Sequence, residues 1–464
     1  MLRYEEKELV KELRNFLDET SYDIINQKLR KEQYFFDPLP AYEQVKPAVQ
    51  SLDEKYRCVM ELLLLGDVVK EERLTNSWGS RIVEVMEQLG IVIPHKEYIQ
   101  TDGYILVSYL DRFVFVGTPF RNPNCRIKDP AVYIGIDTFR LTDNILTRPA
   151  GKILDLCTGS GIQAIFGSMA ASNGIGVELN KQALPVTKFN VVLNDLEDKL
   201  EIRNGSLYEP VENEKFDRIY TNPPFIAIPD EIDYPVAGAG GTDGLDIVKD
   251  IFKGFHSHLN DGGYGIMIGE ALGDEKKPFL IDTIREILGD SFETTVVLDL
   301  KITIGVQLNR CINVTKAMGK ENGKSAEELF ERYIKVYEEM NVTSVYSFYV
   351  KAKKVEKGIG KLNVIDFTRK WNKFSIPKKP ETPYQIVPLN QFHGLVVDGK
   401  IEVSVNDTIL EFIGYIDGEH SLEEIFDMVA KKDPQKFSYK NKIEFIEDVT
   451  QVCGLLEEHK LLTH

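Results

Sequence analysis

Apolar residues return at three- and four-residue intervals through the first part of the chain, in "YEEKELVKELRNFLDE", "EKYRCVMELLLLGDVV" and "SWGSRIVEVMEQLGIVI", where Ser77 is placed to cap the third run. This spacing predicts amphipathic helices over residues 1–95. The period then drops to two: "YIQTDGYILVSYLDRFVFVG" alternates about Asp102-Gly103, a hairpin signal, and residues 96–145 are expected to hold that hairpin and a connector. Helices followed by a hairpin suit a winged helix, or any small α+β cap. From there to residue 355, short apolar runs alternate with amphipathic stretches. "KILDLC", "GIGVEL", "KLEIRNG", "FDRIYT", "GGYGIMIGE", "TTVVLDL" and "SVYSFYVKAKK" are the expected strands. Strands separated by helices imply an α/β fold, a Rossmann-like, mostly parallel sheet over residues 146–355 covered on both faces. Residues 356–382, with "RKWNKFSIPKKPETP", read as a linker, and residues 383–464 as a second mainly helical, winged-helix-like flanking domain.

Composition narrows the function classes. The chain of 464 residues is 43% hydrophobic, enough for several cores, and no run is apolar for long enough to span a membrane. The opening "MLRYEEKELVKELRNF" is a charged amphipathic helix rather than a signal peptide, so the expected location is the cytoplasm. Five scattered cysteines, never in C-x-x-C spacing, signal neither disulfides nor zinc, and His256 and His258 stand on different helix faces, so no metal is expected. A net charge of -17 repels a phosphate backbone, which disfavours nucleic acid as a substrate.

The chemistry starts at "LDLCTGSGIQAIF". A strand ends at Asp155, the loop Cys157-Thr158-Gly159-Ser160-Gly161 turns tightly, and a helix begins, presenting N–H groups to whatever lies over the loop. Gly159 to Ala164 also fits the G-x-G-x-x-A dinucleotide fingerprint, with Glu178 ending the next strand where a ribose-binding acid would sit. Against a dinucleotide, Asp155 would meet a pyrophosphate with negative charge. S-adenosylmethionine is a sulfonium cation without phosphate and suits the loop better.

The fourth strand leaves the sheet through "YTNPPFIAIP". Proline fixes φ and lacks an N–H, so Pro223-Pro224 stiffens the exit and leaves acceptors beside Asn222. In this order "LDLCTGSG", "GVELN", "NGSLYEPV" and "FDRIYTNPPFI" resemble the S-adenosylmethionine-dependent methyltransferases with an N/D-P-P-Y/F motif, which include protein-glutamine, guanine-N2 ribosomal RNA and adenine-N6 DNA methyltransferases. "GAGGTDGLDIVKDIF" and "FNVVLND" are similar to the protein-glutamine, small-domain group. The resemblance implies that Asn222 and the Pro223 carbonyl accept hydrogen bonds from a substrate NH2, with Pro224 and Phe225 walling the site. It implies that Asp155, Cys157, Thr158, Gly159 and Gly161 cradle the cofactor and that Glu178 and Leu179 take its ribose end. Asn204, Gly205, Ser206 and Asn222 would also contact the cofactor, with Ser206 or Asn204 meeting the adenine, Ser206 standing where the release-factor group has an acid. "VYIGIDTFRLTDNI" resembles the segment over the cofactor, bringing Asp137, Thr138 and Arg140 toward the methionine end or the substrate; an ordinary capped helix entry fits it equally.

The end of the chain, "VNDTILEFIGYIDGEHSLEEIFDMV" and "KNKIEFIEDVTQVCGLLEEHKLL", resembles PqqD-like peptide chaperones, with a helix capped at Ser421-x-x-Glu424. That implies either a leader peptide held by edge-strand addition or a dimerising winged helix. The expectation is therefore an N-methyltransferase acting on a small molecule or peptide, with a homodimer compatible. The alternatives are a ribosomal RNA or protein-glutamine methyltransferase and a nicotinamide oxidoreductase.

Overall fold

The computed structural model describes residues 2–32, 42–117, 130–368, 384–389, 392–397, 400–437, 442–458 and 461–462. It divides into two units, one of residues 1–296 and 308–364, the other of 297–307 and 365–464.

The first unit begins with α1 (Lys7–Glu19), α2 (Tyr22–Glu32), α3 (Tyr42–Gln50) and α4 (Glu54–Leu63), then β1 (Val69–Lys70), α5 (Glu71–Trp78), α6 (Ser80–Gln88), β2 (Val92–His95) and β3 (Tyr98–Thr101). Strands β1, β3 and β2 form one small antiparallel sheet. Among the described residues, the next two strands, β4 (Ile105–Tyr109) and β5 (Arg112–Val116), pair only with each other. Asp102-Gly103 therefore does not turn a hairpin, contrary to expectation. It carries the chain from one sheet to the next. The hairpin turns one strand later at Leu110-Asp111, with φ of 46° and 62° between the paired residues Tyr109 and Arg112. Two consecutive positive φ values are what a two-residue hairpin loop requires, and here residues other than Asn-Gly supply them.

A two-stranded ribbon is marginal alone. This one is buried, with Leu106, Val107, Phe113, Val114, Phe115 and Val116 all nearly inaccessible, so its outward-facing backbone groups need partners. Helix side chains supply them on both edges. On β4, Tyr22 donates to the Leu106 carbonyl (2.8 Å) and Asn26 to the Ser108 carbonyl (3.2 Å). On β5, the carboxamides of Asn190 and Asn194, one helical turn apart, each accept from an N–H and donate to a carbonyl of the same residue. Phe115 N–H to Asn190 is 2.8 Å and Phe113 N–H to Asn194 is 3.0 Å, with return bonds of 3.2 and 2.7 Å. A carboxamide carries the donor and acceptor of a peptide group, so the two side chains imitate a neighbouring strand. Asn190→Ala should strand the Phe115 N–H and carbonyl in a dry site, at a cost of about 1–3 kcal/mol. A urea midpoint unchanged from wild type would refute it.

Next come α7 (Ile136–Asp143), β6 (Ala150–Leu156), α8 (Ile162–Met169), β7 (Ala171–Glu178), α9 (Leu184–Leu193), β8 (Leu200–Asn204), β9 (Phe216–Thr221), α10 (Asp246–His258), β10 (Leu259–Gly273), α11 (Leu280–Ile287), β11 (Phe292–Thr303), α12 (Ile304–Ala317), α13 (Ala326–Glu339), β12 (Ser344–Lys354) and β13 (Leu362–Asp366). All seven expected strands are present, and β13 adds an eighth. The sheet order is β13-β11-β12-β10-β9-β6-β7-β8. Strands β6 to β10 are parallel neighbours, while β12 runs antiparallel to β10. A dinucleotide-binding sheet places its sixth strand beside its fifth. Here the seventh strand is wedged antiparallel between them, which overturns the nicotinamide alternative. The apolar residues of α8 and α9 continue into the core of the N-terminal helices and the ribbon, so these parts share one interior.

In the second unit, β14 (Tyr384–Leu389), β15 (Phe392–Val397) and β16 (Lys400–Val405) form an antiparallel meander followed by α14 (Asp407–Ile413), α15 (Leu422–Lys432) and α16 (Lys442–Glu458). Ser421 and Glu424 make the reciprocal cap that the sequence suggests, at 3.2 and 2.7 Å. Phe412, Phe426 and Phe437 fill the centre of this unit. Of the expected linker, residues 369–382 lie outside the described residues. Among the described residues no helix is long and apolar enough to cross a membrane, no acid, His and Cys cluster could hold a metal, and the four cysteines are free.

Candidate active site

Strand order reverses between β6 and β9, and open α/β sheets bind ligands outside the carboxyl ends at such a point. Two loops meet there. The first follows β6. Asp155 is buried beneath it and accepts from the Thr158 hydroxyl (2.5 Å) and from the Ala164 N–H (3.1 Å), tying the loop to the first turn of α8. Burial pushes this carboxyl up to about 7 against those bonds. Cys157 adopts φ of 58°, a left-handed conformation that a non-glycine residue seldom takes, and burial raises its thiol as well. Glu178, at the end of β7, accepts from the Gly159 N–H (2.8 Å) and the Asn180 N–H (2.7 Å), and burial holds its carboxyl above the usual range. Each oxygen of Glu178 keeps a lone pair beyond its N–H partner.

The loop after β8 is less free. Asn204 spends its NH2 on the carbonyls of Glu178 (2.8 Å) and Leu179 (3.1 Å), and Gly205 N–H also donates to Glu178 O (3.1 Å). Ser206 N–H donates to Glu209 (3.2 Å). The Leu179 side chain stands 58% exposed at this rim. The structure thus gives Asn204 a backbone-holding contact, and leaves the Leu179 and Ser206 side chains at the edge of the loop.

The second loop leaves β9 as Asn222-Pro223-Pro224-Phe225. Its continuation is clamped by the glycine-rich stretch: Ile226 N–H donates to Gly238 O and Gly240 N–H to Ile226 O, both 2.8 Å, and Ile228 N–H to Gly241 O at 3.0 Å. The two chains touch so closely that a Cβ on Gly244, itself at φ 74°, would lie 2.5 Å from the Phe225 carbonyl. One on Gly240 would lie 2.8 Å from the Phe225 Cα. Only backbone could yield there. Gly240→Ala should therefore displace the motif, costing about 1–3 kcal/mol of stability and roughly tenfold or more in single-turnover rate. Wild-type values for both the melting curve and the rate would refute it. From the other side, α13 buries Leu329, Tyr333 and Tyr337, and Tyr337 donates to Ala227 O at 3.3 Å.

Asn222 meets a residue 85 positions away. Its NH2 donates to Asp137 Oδ2 at 2.5 Å, from the first turn of α7. Its Oδ1 is buried and, among the described residues, has no hydrogen-bond partner. Arg140, one turn along α7, donates to Ser347 (2.5 Å), which faces Glu270 across the β10–β12 pair. Burial raises the Glu270 carboxyl, against the attraction of Arg310 at 3.6 Å and of Arg140, and Asp137 raises it further. Of the α7 residues, Asp137 thus reaches the NPPF motif. Thr138 turns inward: its hydroxyl accepts from the Gly135 N–H (3.3 Å) and its backbone carbonyl from the Gln163 side-chain NH2 (3.1 Å). Glu270 and Arg310 escaped the sequence reading; an acid inside the apolar run "GIMIGEALG" was the available signal for the first.

Two buried carboxyls round a glycine loop, with a polar exit strand beside it, are the arrangement expected of a methyltransferase that uses S-adenosylmethionine. Residues 134–286 match the family model "Methyltransferase small domain". The chain is 37% identical over 231 residues to the ribosomal protein uL3 glutamine methyltransferase of Bradyrhizobium diazoefficiens, covering 45% of this chain and 68% of that protein. It is 34% identical over 149 residues to the protein of the same description from Bordetella pertussis, covering 28% and 50%. It is 33% identical over 150 residues to the release factor glutamine methyltransferase of Cereibacter sphaeroides, covering 30% and 53%. The match spans two thirds of the first relative and about half of the other two. The chain belongs to the S-adenosylmethionine-dependent methyltransferases of the small-domain, glutamine methyltransferase class. The expectation of a small-molecule acceptor finds no support among these relatives.

Proposed function

We propose that this enzyme methylates the side-chain amide nitrogen of a glutamine in a protein. The buried, unpartnered Asn222 Oδ1 at the carboxyl end of β9 carries the reading. It is an acceptor held ready for an N–H donor, and a substrate carboxamide is such a donor. The three relatives act, by their names, on glutamine in uL3 or a release factor, and the net charge of -17 favours a basic protein over RNA.

Bound S-adenosylmethionine supplies a methyl group on a cationic sulfur. Asp155 and Glu178 suit that cation and its ribose, the first through its buried negative charge when ionised and the second through its remaining lone pairs. Asn222 Oδ1 and the Pro223 carbonyl orient the substrate NH2. The hydrogens on that nitrogen become more acidic as its bond to carbon forms, so acceptors fixed beforehand stabilise the transition state more than the ground state. Phe225, whose ring lies over Gly269, walls the planar amide, and in-line placement supplies the remaining acceleration. Residues of the N-terminal helices and of 383–464 are proposed to select the protein partner.

The test is to incubate the enzyme and radiolabelled S-adenosylmethionine separately with purified uL3, a peptide-release factor, ribosomal RNA and a pool of small metabolites, and to locate the label by mass spectrometry. Label on a glutamine of either protein is expected. Label only in RNA or metabolites would sink the proposal.

A further inference from the structure

We infer that Asp137 is a positioning residue that fixes which end of the Asn222 carboxamide faces the acceptor substrate; the inference rests on the proposed role of Asn222. A carboxamide can sit in its site two ways round, with the NH2 or the oxygen foremost. Only the oxygen can accept from a substrate NH2. An ionised carboxylate has acceptors and no donor, so Asp137 Oδ2, 2.5 Å from Asn222 Nδ2, holds the NH2 toward itself and leaves Oδ1 unpartnered. The reversed orientation would set two oxygens against each other and present a donor to a donor.

Asp137 is itself held in place. It lies in the first turn of α7, and a Cβ on Gly135 would fall 2.3 Å from Asp137 Oδ1, so the residue before the helix is shaped to admit this carboxylate. Arg140 on α7 and Glu270 on β10 interact with it, and Glu270 is in turn paired with Arg310 on α12. A carboxylate at residue 137 is one member of that balanced set.

The pairing makes a reciprocal prediction. Asn222→Asp alone sets two carboxylates in contact, where they repel or must share a proton, and its rate should fall by about tenfold or more. The exchange Asp137→Asn with Asn222→Asp restores one amide and one carboxylate, with the same net charge facing Arg140 and Glu270. The new amide donates to residue 222 and leaves its second oxygen foremost. This double variant should be about tenfold faster than Asn222→Asp alone, in single turnover at saturating cofactor, while Asp137→Ala falls by about tenfold with cofactor affinity retained. Single-turnover rates on the protein substrate, with calorimetry of S-adenosylmethionine binding and melting curves for each variant, supply the readouts. Recovery of rate in the exchanged pair, at equal folded fraction, supports the inference, since a merely structural contact would show its loss and recovery in the melting curves and leave the rate per folded molecule unchanged. A double variant no faster than Asn222→Asp overturns it. Should Asn222→Ala keep full rate, the reading of Asn222 itself fails, and that outcome is seen without any variant of Asp137.

Discussion

Asn222→Ala is expected to fold, to bind S-adenosylmethionine about as tightly as the parent, and to turn over some 10²–10³ times more slowly, the cost of about 2.7–4 kcal/mol for losing one preorganised polar contact to a reacting group. The loss should appear in the single-turnover rate, because the side chain bonds Asp137 and, among the described residues, makes no hydrogen bond to the glycine loop. A rival account gives Asn222 the plainer task of ending β9 ahead of Pro223-Pro224. On that account the variant melts earlier and the rate per folded molecule is unchanged. Melting curves and single-turnover rates on one preparation separate the two.

Glu178→Ala should do the opposite, weakening cofactor binding by about tenfold or more and sparing the rate at saturation. Hydrogen bonds to a charged acceptor are worth roughly 1.5–3 kcal/mol each before compensation. The carboxylate also holds the Gly159 and Asn180 N–H groups, so its removal loosens the loop as well as removing the proposed ribose contact. Glu178→Gln keeps one oxygen for Gly159 and should lose less. Calorimetry showing parental affinity in Glu178→Ala would remove the residue from the site. The Asp155 carboxyl at about 7 adds a pH dependence with a definite sign. Its pKa is raised above the unfolded value, so it contributes stability to the unliganded fold at pH below about 4 and that contribution is lost as pH rises through 7. A cation bound nearby favours the ionised form, so affinity for the cofactor should strengthen over the same rise.

The parts of the molecule written locally were legible. Short apolar runs between amphipathic stretches gave all seven expected strands, and the rigid Pro223-Pro224 exit marked the chemical edge of the sheet. Turn chemistry misled where it was strongest: Asp102-Gly103 has the residues of a hairpin but joins strands of different sheets, whereas Leu110-Asp111 makes the hairpin without a glycine. Alternation in "PYQIVPL" and "LVVDGKIEVSV" marks the meander β14-β15-β16, which the resemblance to a mainly helical domain does not imply. Contacts made across distance were only partly legible. The family resemblance brings Asp137 toward the methionine end or the substrate, but nothing in its neighbourhood says that it reaches Asn222. "FNVVLND" shows two carboxamides at helical spacing, but not that they lie along a strand edge.

That edge has a consequence for how the protein is made. Phe113 and Phe115 leave the ribosome 81 and 75 residues before the asparagines that satisfy them. Tyr22 and Asn26 are already present when β4 emerges, so one side of the ribbon closes at once and the other must wait. For that interval the nascent chain carries an open, aromatic strand edge, the kind of template that recruits another chain. Translation speed through residues 117–190 sets the length of the exposure. The step that shields the ribbon is the docking of α9, and the same Asn190 then donates to Ser160 O in the cofactor loop at 3.0 Å. One side chain thus ties the N-terminal core to the methyl-donor cradle.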